Sequence, residues 1–222
     1  MTIILLLLST MQLIGPANAA IPNRLRHPQD RCGIVRGRVI DEKGNPVDRV
    51  RVFAIAVNHP PNMRSETETE TDPRGEFSLP CLEPGPNAIW ISKEREYYPN
   101  TFSSLFPGDW KNPLVRISAG EAINGLEVRL PPQGSRLSGR VIDGVSGKLM
   151  DTAVLRLCRA KTRDCRNVSA RTVNEGFSFV LPALDLTLQV SAPGYVTSKP
   201  VQVALKRGVT KTITVPLTRQ SP

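Results

Sequence analysis

The pentapeptide Gly37-Arg38-Val39-Ile40-Asp41 recurs about a hundred residues later as Gly139-Arg140-Val141-Ile142-Asp143. Each copy continues into a turn that contains Gly and Lys, and then into an apolar run, at residues 50–57 in the first copy and 153–158 in the second. Features that recur in the same order indicate an internal repeat. A repeat of this length is too long for a solenoid unit and has the size of a small domain.

A glycine-containing hairpin sequence is repeated as well. Asp72-Pro73-Arg74-Gly75-Glu76-Phe77 has its counterpart in Asn174-Glu175-Gly176-Phe177-Ser178-Phe179, and each stretch leads to a Leu-Pro pair. We therefore expect two tandem domains, over residues 33–131 and 136–218, joined by a short linker.

Apolar and polar residues alternate along several segments of both copies. The period of two is clearest at residues 126–130, 184–191 and 212–217. Because side chains alternate faces along a strand, each segment has one apolar and one polar face. Half-buried strands of this kind suit antiparallel sheets that pack in pairs.

The 20 Pro and 16 Gly are spread along the whole chain and exclude long helices, since Pro removes a backbone donor and clashes with the preceding turn. The sequence therefore predicts an all-β protein. Its expected architecture is two tandem seven-stranded antiparallel β-sandwiches of the prealbumin-like or immunoglobulin-like kind.

The first residues form a candidate export signal. Residues 3–14 are largely apolar, a Gly-Pro pair interrupts them, and Ala17-Asn18-Ala19 has the small-x-small form that signal peptidase accepts. The apolar run is shorter than the roughly 20 residues that span a bilayer, so residues 1–19 are predicted to be a cleaved signal peptide. An uncleaved anchor is the alternative, because no Lys or Arg precedes the run. The mature chain is expected to be secreted, periplasmic or on the cell surface, without a transmembrane span.

The four cysteines are Cys32, Cys81, Cys158 and Cys165. An even number in an exported chain suggests disulfides, and of three pairings we expect Cys158–Cys165 and Cys32–Cys81. The first pair brackets a short polar stretch, so a hairpin there would oppose the two residues with Cα atoms about 4.5 Å apart, which a disulfide can bridge. Zinc is the competing interpretation, but a close C-x₂-C pair is missing. We expect no metal and no cofactor.

The formal net charge is +9. The basic residues are scattered, apart from a cluster at residues 156–166. Outside the cell such charge favours contact with anionic polysaccharide, lipid head groups or cell-wall polymers, and nucleic acid is not an expected partner there. A solvated basic surface without a partner is the alternative.

Several of these motifs resemble those of the carboxypeptidase-regulatory-like domains, which are transthyretin-like β-sandwiches similar to collagen-adhesin B-type repeats. Gly-Arg-Val-Ile-Asp followed by Gly44-Asn45-Pro46-Val47 resembles the family's first hairpin. Thr71-Asp72-Pro73-Arg74-Gly75-Glu76-Phe77 resembles its T-D-x-x-G-x-F hairpin, and Val190-Ser191-Ala192-Pro193-Gly194-Tyr195 resembles its V-x-A-x-G-Y turn. The second copy departs from the pattern at Asn174-Glu175-Gly176, which lacks the Thr-Asp pair. The resemblance covers nearly all of the mature chain and implies a fold rather than an activity.

The chain is predicted not to be an enzyme. Regulatory-like domains accompany metallocarboxypeptidases without carrying their zinc site, so the resemblance implies no peptidase activity. His27 and His59 are the two histidines of the chain, and neither stands near a second metal ligand in the sequence. The sequence contains no G-x-S-x-G motif and no phosphate loop, and residues 215–222 do not resemble the Tyr-Arg-Gly-Ser tail of the transthyretin-like hydrolase of purine breakdown. A Cys–His nucleophile at His59 is the remaining catalytic alternative.

An acidic stretch covers residues 65–72. On a strand, Glu66, Glu68, Glu70 and Asp72 share one face. A row of carboxylates can hold Ca²⁺, but charges on an exposed edge strand, which prevent pairing with another sheet, are the expected explanation.

The best binding candidate is a long loop at residues 94–112. Residues 90–110 hold more than half of the aromatic side chains of the chain. Long loops in compact domains are often functional, and exposed rings can stack on sugars or anchor a protein partner. The candidate ligand-binding residues are Tyr97, Tyr98, Phe102, Phe106 and Trp110. The alternative is that these rings fold back and cap the open end of the first sandwich, while Trp90 is expected in the core.

Three functions are compatible with these observations. The first is a non-catalytic binding or scaffold protein of the cell envelope that recognises carbohydrate or a protein partner. The second is a structural spacer without a ligand, and the third, which no motif supports, is a hydrolase.

Overall fold

The structure, a computed structural model, describes residues 32–57, 66–106, 110–150, 152–160, 162, 164–170 and 176–221. The predicted signal peptide and both histidines lie outside these residues. The described chain is all-β, as predicted, with one short 3-10 helix at Glu94–Glu96. Within the described ranges, no helix has the length and apolar character that a membrane crossing requires.

The N-terminal unit has seven strands among the described residues. They are β1 (Gly33–Ile40), β2 (Arg51–Ala56), β3 (Glu66–Glu70), β4 (Glu76–Leu82), β5 (Gly85–Ser92), β6 (Leu114–Ile117) and β7 (Ala122–Arg129). These strands build two sheets with the orders β4-β1-β7 and β3-β2-β5-β6.

The C-terminal unit also has seven strands in the described part of the chain. They are β8 (Ser135–Asp143), β9 (Ala153–Arg159), β10 (Cys165–Ala170), β11 (Phe177–Leu181), β12 (Asp185–Ser191), β13 (Val201–Ala204) and β14 (Thr210–Leu217). The sheet orders are β11-β8-β14 and β10-β9-β12-β13. Adding seven to each strand number of the N-terminal unit gives the orders of the C-terminal unit. The two units therefore have the same topology, as the repeated sequence motifs indicate.

One strand pair in each unit differs from the predicted antiparallel arrangement. β1 and β7 pair in parallel, and so do β8 and β14. Parallel neighbours need a long connection rather than a tight turn. The first and last strands of a unit meet this condition, because five other strands lie between them along the chain.

Each pair of sheets encloses one hydrophobic core. In the N-terminal unit, β1, β2, β4, β5, β6 and β7 all contribute buried residues, among them Val39, Val52, Leu79, Ile91 and Val128. In the C-terminal unit, Val141, Leu155, Leu188, Val203 and Val215 come from both sheets. The alternation of apolar and polar residues in the sequence thus places one face of each strand in a sandwich core.

Gly37 and Gly139 occupy equivalent positions at a close approach of two strands. A Cβ atom on Gly37 would lie 2.0 Å from the carbonyl oxygen of Leu126, and one on Gly139 would lie 2.3 Å from that of Ile213. Phe77 is the cross-strand partner of Gly37, as Phe177 is of Gly139.

This register changes the alignment of the two hairpins. The matching Leu-Pro pairs suggest that Leu181 is the counterpart of Leu79. However, Leu79 pairs with Val35, two residues before Gly37, whereas Leu181 pairs with Ser135, four residues before Gly139. The Leu-Pro pairs are therefore not at equivalent positions. The equivalent residues of the two hairpins are Phe77 and Phe177, because each pairs with the glycine of its own unit.

Both predicted disulfides are confirmed. Cys158 and Cys165 are direct cross-strand partners on β9 and β10, with 4.0 Å between Cα atoms. Cys32 and Cys81 join the start of β1 to β4, with 4.6 Å between Cα atoms. No cysteine in the described chain is free.

Candidate ligand-binding site

A buried lysine directly precedes the aromatic loop. The ammonium of Lys93, whose side chain is 4% exposed, donates to the backbone carbonyl of Asp48 and lies 3.2 Å from a carboxylate oxygen of Glu96. The 3-10 helix follows directly and ends at Tyr97, which has a positive φ of 66°. A buried cation needs such partners, because an unpaired charge in the interior is costly. The start of the loop is thus fixed to the turn before β2.

Tyr97 and Tyr98 turn to different parts of the molecule. The hydroxyl of Tyr97 lies 3.2 Å from Oγ1 of Thr210, which belongs to the C-terminal unit. Tyr98 packs against the core of the N-terminal unit, and burial, helped by the carboxylates of Asp41 and Glu96, raises the pKa of its phenol. Among the described residues, neither ring packs against another aromatic ring.

Phe102 covers the outer face of the β3-β2-β5-β6 sheet. Its ring lies edge-on to Trp90, at 5.1 Å between centroids, and to Phe53, at 6.0 Å. Trp90 is therefore not a core residue, contrary to the prediction, because it alternates with Ile89 and Ile91, whose side chains fill the core. Phe102 remains 46% exposed.

Phe106 is completely buried, and its surroundings belong to the other unit. It is part of the C-terminal core together with Leu157 and Leu186. The guanidinium carbon atoms of Arg159 and Arg166 lie 5.5 Å and 6.0 Å from the ring centroid, a distance at which cations are attracted to an aromatic face. The prediction that Phe106 is a surface binding residue is wrong, and so is the alternative that its ring caps the first sandwich.

Polar contacts connect the two units beside Phe106. The backbone N–H of Gly134 donates to the carbonyl of Tyr97 at 2.7 Å, and a guanidinium nitrogen of Arg136 donates to the carbonyl of Glu94 at 2.7 Å. The guanidinium of Arg207 pairs with the carboxylate of Glu42 at 3.0 Å. We call this region, where the aromatic loop and residues 130–134 meet the C-terminal unit, the junction.

Trp110 lines a cleft of 620 Å³ at the junction. Glu42, Trp110 and Arg129 form one side of it, and Pro182 and Arg207 form the other. We call this the junction cleft. The indole of Trp110 is half-buried, lines the cleft, and makes no hydrogen bond or ring contact within the described part of the chain.

The five sequence candidates therefore do not form one site. Tyr98 and Phe102 serve the N-terminal unit, Tyr97 and Phe106 attach the loop to the C-terminal unit, and Trp110 alone lines a cleft. Sequence reasoning missed the cleft residues Glu42, Arg129 and Arg207. Their sequence positions are far apart: Arg129 meets Glu42 because β7 pairs with β1, and the docking of the C-terminal unit brings Arg207 to Glu42.

The acidic strand β3 lies at the edge of its sheet. The guanidinium of Arg51 on the neighbouring strand bonds the carboxylate of Glu68 and lies 3.4 Å from that of Glu66. Carboxylates on an edge strand hinder its pairing with another sheet, and Arg51 balances the charge of Glu66 and Glu68 within this sheet. Among the described residues, no group of three or more His, Cys, Asp or Glu side chains is arranged to hold a metal ion.

Asp143 holds a buried polar network in the C-terminal unit. Its carboxylate accepts hydrogen bonds from the hydroxyl of Tyr195 at 2.6 Å, from Arg219 at 2.9 Å and from the backbone N–H of Ser146 at 2.8 Å. These bonds, that of Tyr195 above all, hold the pKa of the Asp143 carboxyl well below its ordinary value. None of these four residues is among the described residues that line the junction cleft.

No family model matches this chain, and no curated protein sequence matches it. Several solved structures are similar to it at low identity. They include the Bacillus anthracis TIE protein (15% identity over 85% of this chain and 34% of that one, TM-score 0.36), a streptococcal ancillary pilin (14%, 86% and 63%, TM-score 0.38) and the minor pilin GBS52 of Streptococcus agalactiae (13%, 86% and 97%, TM-score 0.34). The chain spans about a third of the first of these proteins and less than two thirds of the second. Similarity at this level carries no argument about what the chain does.

Proposed function

We propose that this protein is an exported, non-catalytic scaffold of the cell envelope, built from two carboxypeptidase-regulatory-like domains over residues 33–131 and 136–218. Its role is to hold two β-sandwiches in one fixed arrangement and so to present a surface to a glycan or a protein partner. A spacer without any ligand is the second candidate, because the same fixed arrangement serves it equally well.

Two disulfides support export. Disulfides form and persist in oxidising compartments and are rare in the cytosol. Both bonds lie within single units, Cys32–Cys81 in the first and Cys158–Cys165 in the second. Each sandwich is therefore stabilised separately, as expected of a protein that works outside the cell. The apolar run and the Ala17-Asn18-Ala19 sequence at the N-terminus agree with the same route.

The observation that carries the scaffold proposal is the burial of Phe106. A ring from the loop of one unit fills the core of the other, and the adjacent contacts to Tyr97, Glu94 and Glu42 are charged or hydrogen-bonded. Neighbouring domains commonly move relative to each other unless their interface is large and apolar. A core residue supplied across the junction opposes such motion, because separating the units would expose the ring to water.

Small-angle X-ray scattering of the mature chain and of a Phe106→Ala variant tests this proposal. The wild type is expected to fit one rigid arrangement, and the variant to require an ensemble with a larger mean radius of gyration. Phe102→Ala is the matched control, since it removes the same ring from the same loop at a position whose ring contacts are with Phe53 and Trp90 of the N-terminal unit. A wild type as variable as the Phe106→Ala protein would contradict the proposal.

A glycan array and affinity capture from envelope extracts separate the scaffold with a ligand from the spacer. Binding by the wild type to a defined glycan or envelope protein favours the first. Empty results in both assays favour the spacer.

A further inference from the structure

We infer that the junction cleft is a binding site for a saccharide that carries an anionic group. This inference deepens the proposed function and rests on the fixed junction, because both units line the cleft. With 620 Å³, the cleft lies within the range of ligand sites of roughly 300 to 1,000 Å³. This volume suits a few sugar residues.

The charge of the lining favours an anion. Lys111, Arg129 and Arg207 face the cleft, and Glu42 is its one acidic residue within the described lining. Glu42 is already paired with Arg207. Lys111 forms no ion pair in the described chain, so its charge is uncompensated and available to a ligand.

Arg129 is held in place mainly by backbone carbonyls. Its guanidinium donates to the backbone carbonyls of Asp41 at 3.0 Å and Glu42 at 3.3 Å. Glu127 lies 3.6 Å from it but makes its shorter contact, 2.9 Å, with Arg38. A guanidinium fixed in this way retains charge for a carboxylate or phosphate, the groups that its planar fork recognises.

The neutral lining favours a sugar ring over an acidic peptide. The half-buried indole of Trp110 offers an apolar face on which the C–H face of a pyranose can stack. Pro132 and Pro182 contribute no backbone N–H, and the N–H of Leu130 already donates to the carbonyl of Ile40, so these positions of the cleft wall offer no donor to an extended peptide. Gln133 uses its amide N–H on the carbonyl of Glu96 at 3.0 Å, which leaves its side-chain oxygen to accept from a hydroxyl.

Isothermal titration calorimetry of the mature chain with four probes tests the inference. Trigalacturonate and galactose 1-phosphate carry carboxylate and phosphate respectively, galactotriose is the neutral comparison, and triglutamate is the acidic peptide. We expect trigalacturonate or galactose 1-phosphate to bind about tenfold or more tightly than galactotriose, with an affinity that falls as salt rises. Which of the two binds more tightly identifies the source of the anionic group. Failure of both anionic sugars to bind, equal binding of galactotriose, or tighter binding of triglutamate would each overturn the inference.

Variants locate the site. Trp110→Ala and Lys111→Glu are each expected to weaken the anionic sugar by about tenfold or more, whereas Phe102→Ala, in the same loop but outside the cleft, leaves the affinity unchanged. Lys111 is exposed, so its variant keeps the fold even if Trp110→Ala lowers the melting temperature. Unchanged affinity in Lys111→Glu would refute the site.

Scattering on the same samples separates the two proposals. A rigid junction without sugar binding rejects only the cleft as a binding site, and a mobile junction rejects the scaffold.

Discussion

The guanidinium of Arg159 lies 5.5 Å from the ring centroid of Phe106, although the two residues belong to different units. Arg159 ends strand β9, and the carboxylate of Asp164 lies 3.5 Å from its Nε. Arg166, whose guanidinium carbon lies 6.0 Å from the same ring centroid, bonds the same carboxylate. The hairpin between β9 and β10 therefore holds two cations around a ring inserted from the N-terminal unit. The Cys158–Cys165 disulfide closes this hairpin, so the covalent bond and the junction reinforce each other.

A series at Phe106 separates apolar burial from the cation contact. Phe106→Leu keeps an apolar side chain but removes the ring, and we expect it to lower the free energy of unfolding by about 1 to 2 kcal/mol. Phe106→Ala also leaves a cavity and should cost about 3 to 5 kcal/mol. Urea unfolding monitored by circular dichroism measures both. A negligible loss in Phe106→Leu beside a large loss in Phe106→Ala would show that the cations contribute nothing beyond the packed volume.

The sequence could predict the fold because its signals are local. The repeat of Gly37 to Asp41, the alternation in β7, β12 and β14 and the spacing of Cys158 and Cys165 each depend on neighbouring residues. The parallel pairs could not be predicted in the same way, because β1 meets β7 only after the chain has built both sheets. The sequence also could not show that Leu79 and Leu181 occupy different positions in the strand register. Register depends on which aromatic residue packs on Gly37 or Gly139, and the second hairpin offers two, Phe177 and Phe179.

The two disulfides should differ in their contribution to stability. Cys32 and Cys81 are separated by 49 positions, and Cys158 and Cys165 by 7. Because a longer closed loop restricts the unfolded chain more, replacing the first pair by Ser should cost about 4 kcal/mol, and replacing the second about 2.5 kcal/mol. Guanidinium unfolding of the two double variants checks the order. The opposite order would mean that the shorter loop acts mainly through the native state, by holding Arg159 and Arg166 around Phe106.

The Asp143 network should make stability depend on acidic pH. Its carboxyl has a lower pKa in the folded chain than in the unfolded chain, because Tyr195 and then Ser146 and Arg219 bond the charged form. The stabilisation is therefore complete above the ordinary pKa of about 4 and is lost as the pH falls below it. Asp143→Asn should lower the melting temperature clearly at pH 7 and much less near pH 2.

Asp41 is the natural control for this measurement, since it occupies the same place in the first copy. Its carboxylate accepts from the side-chain amide of Asn45 at 3.1 Å and from two backbone N–H groups, and among the residues that the structure describes no tyrosine or arginine donates to it. Asp41→Asn should thus change the melting temperature less at pH 7. If both variants lose the same stability at every pH, Tyr195 and Arg219 do not act through the charge of Asp143.

The candidate site was less predictable than the fold. Aromatic residues concentrated in one loop predicted a binding segment, but Phe106 and Tyr97 of this loop reach the C-terminal unit, and that destination depends on the other unit. Thr210, which meets Tyr97, and Arg207, which lines the cleft opposite Trp110, lie about a hundred residues further along the chain. No local pattern connects such residues, and only the docked units define the cleft.

At Gly37 and Gly139 the paired strands approach so closely that a larger side chain should be destabilising. Gly37→Ala and Gly139→Ala each place a methyl group against a backbone carbonyl of the parallel partner strand, at 2.0 Å and 2.3 Å, and against the ring of Phe77 or Phe177. A carbonyl within a sheet cannot move without disturbing its hydrogen bonds, so each variant should lose about 3 kcal/mol of stability through overpacking. Gly147→Ala is the comparison. Its φ of 68° disfavours alanine, but nothing lies within 4 Å of the added atom, and the expected loss is about 1 kcal/mol. Thermal unfolding of the three variants measures the difference. Losses at Gly37 and Gly139 no larger than at Gly147 would mean that β7 and β14 can move away from their partners, and that the parallel pairs do not fix the edges of the two sandwiches.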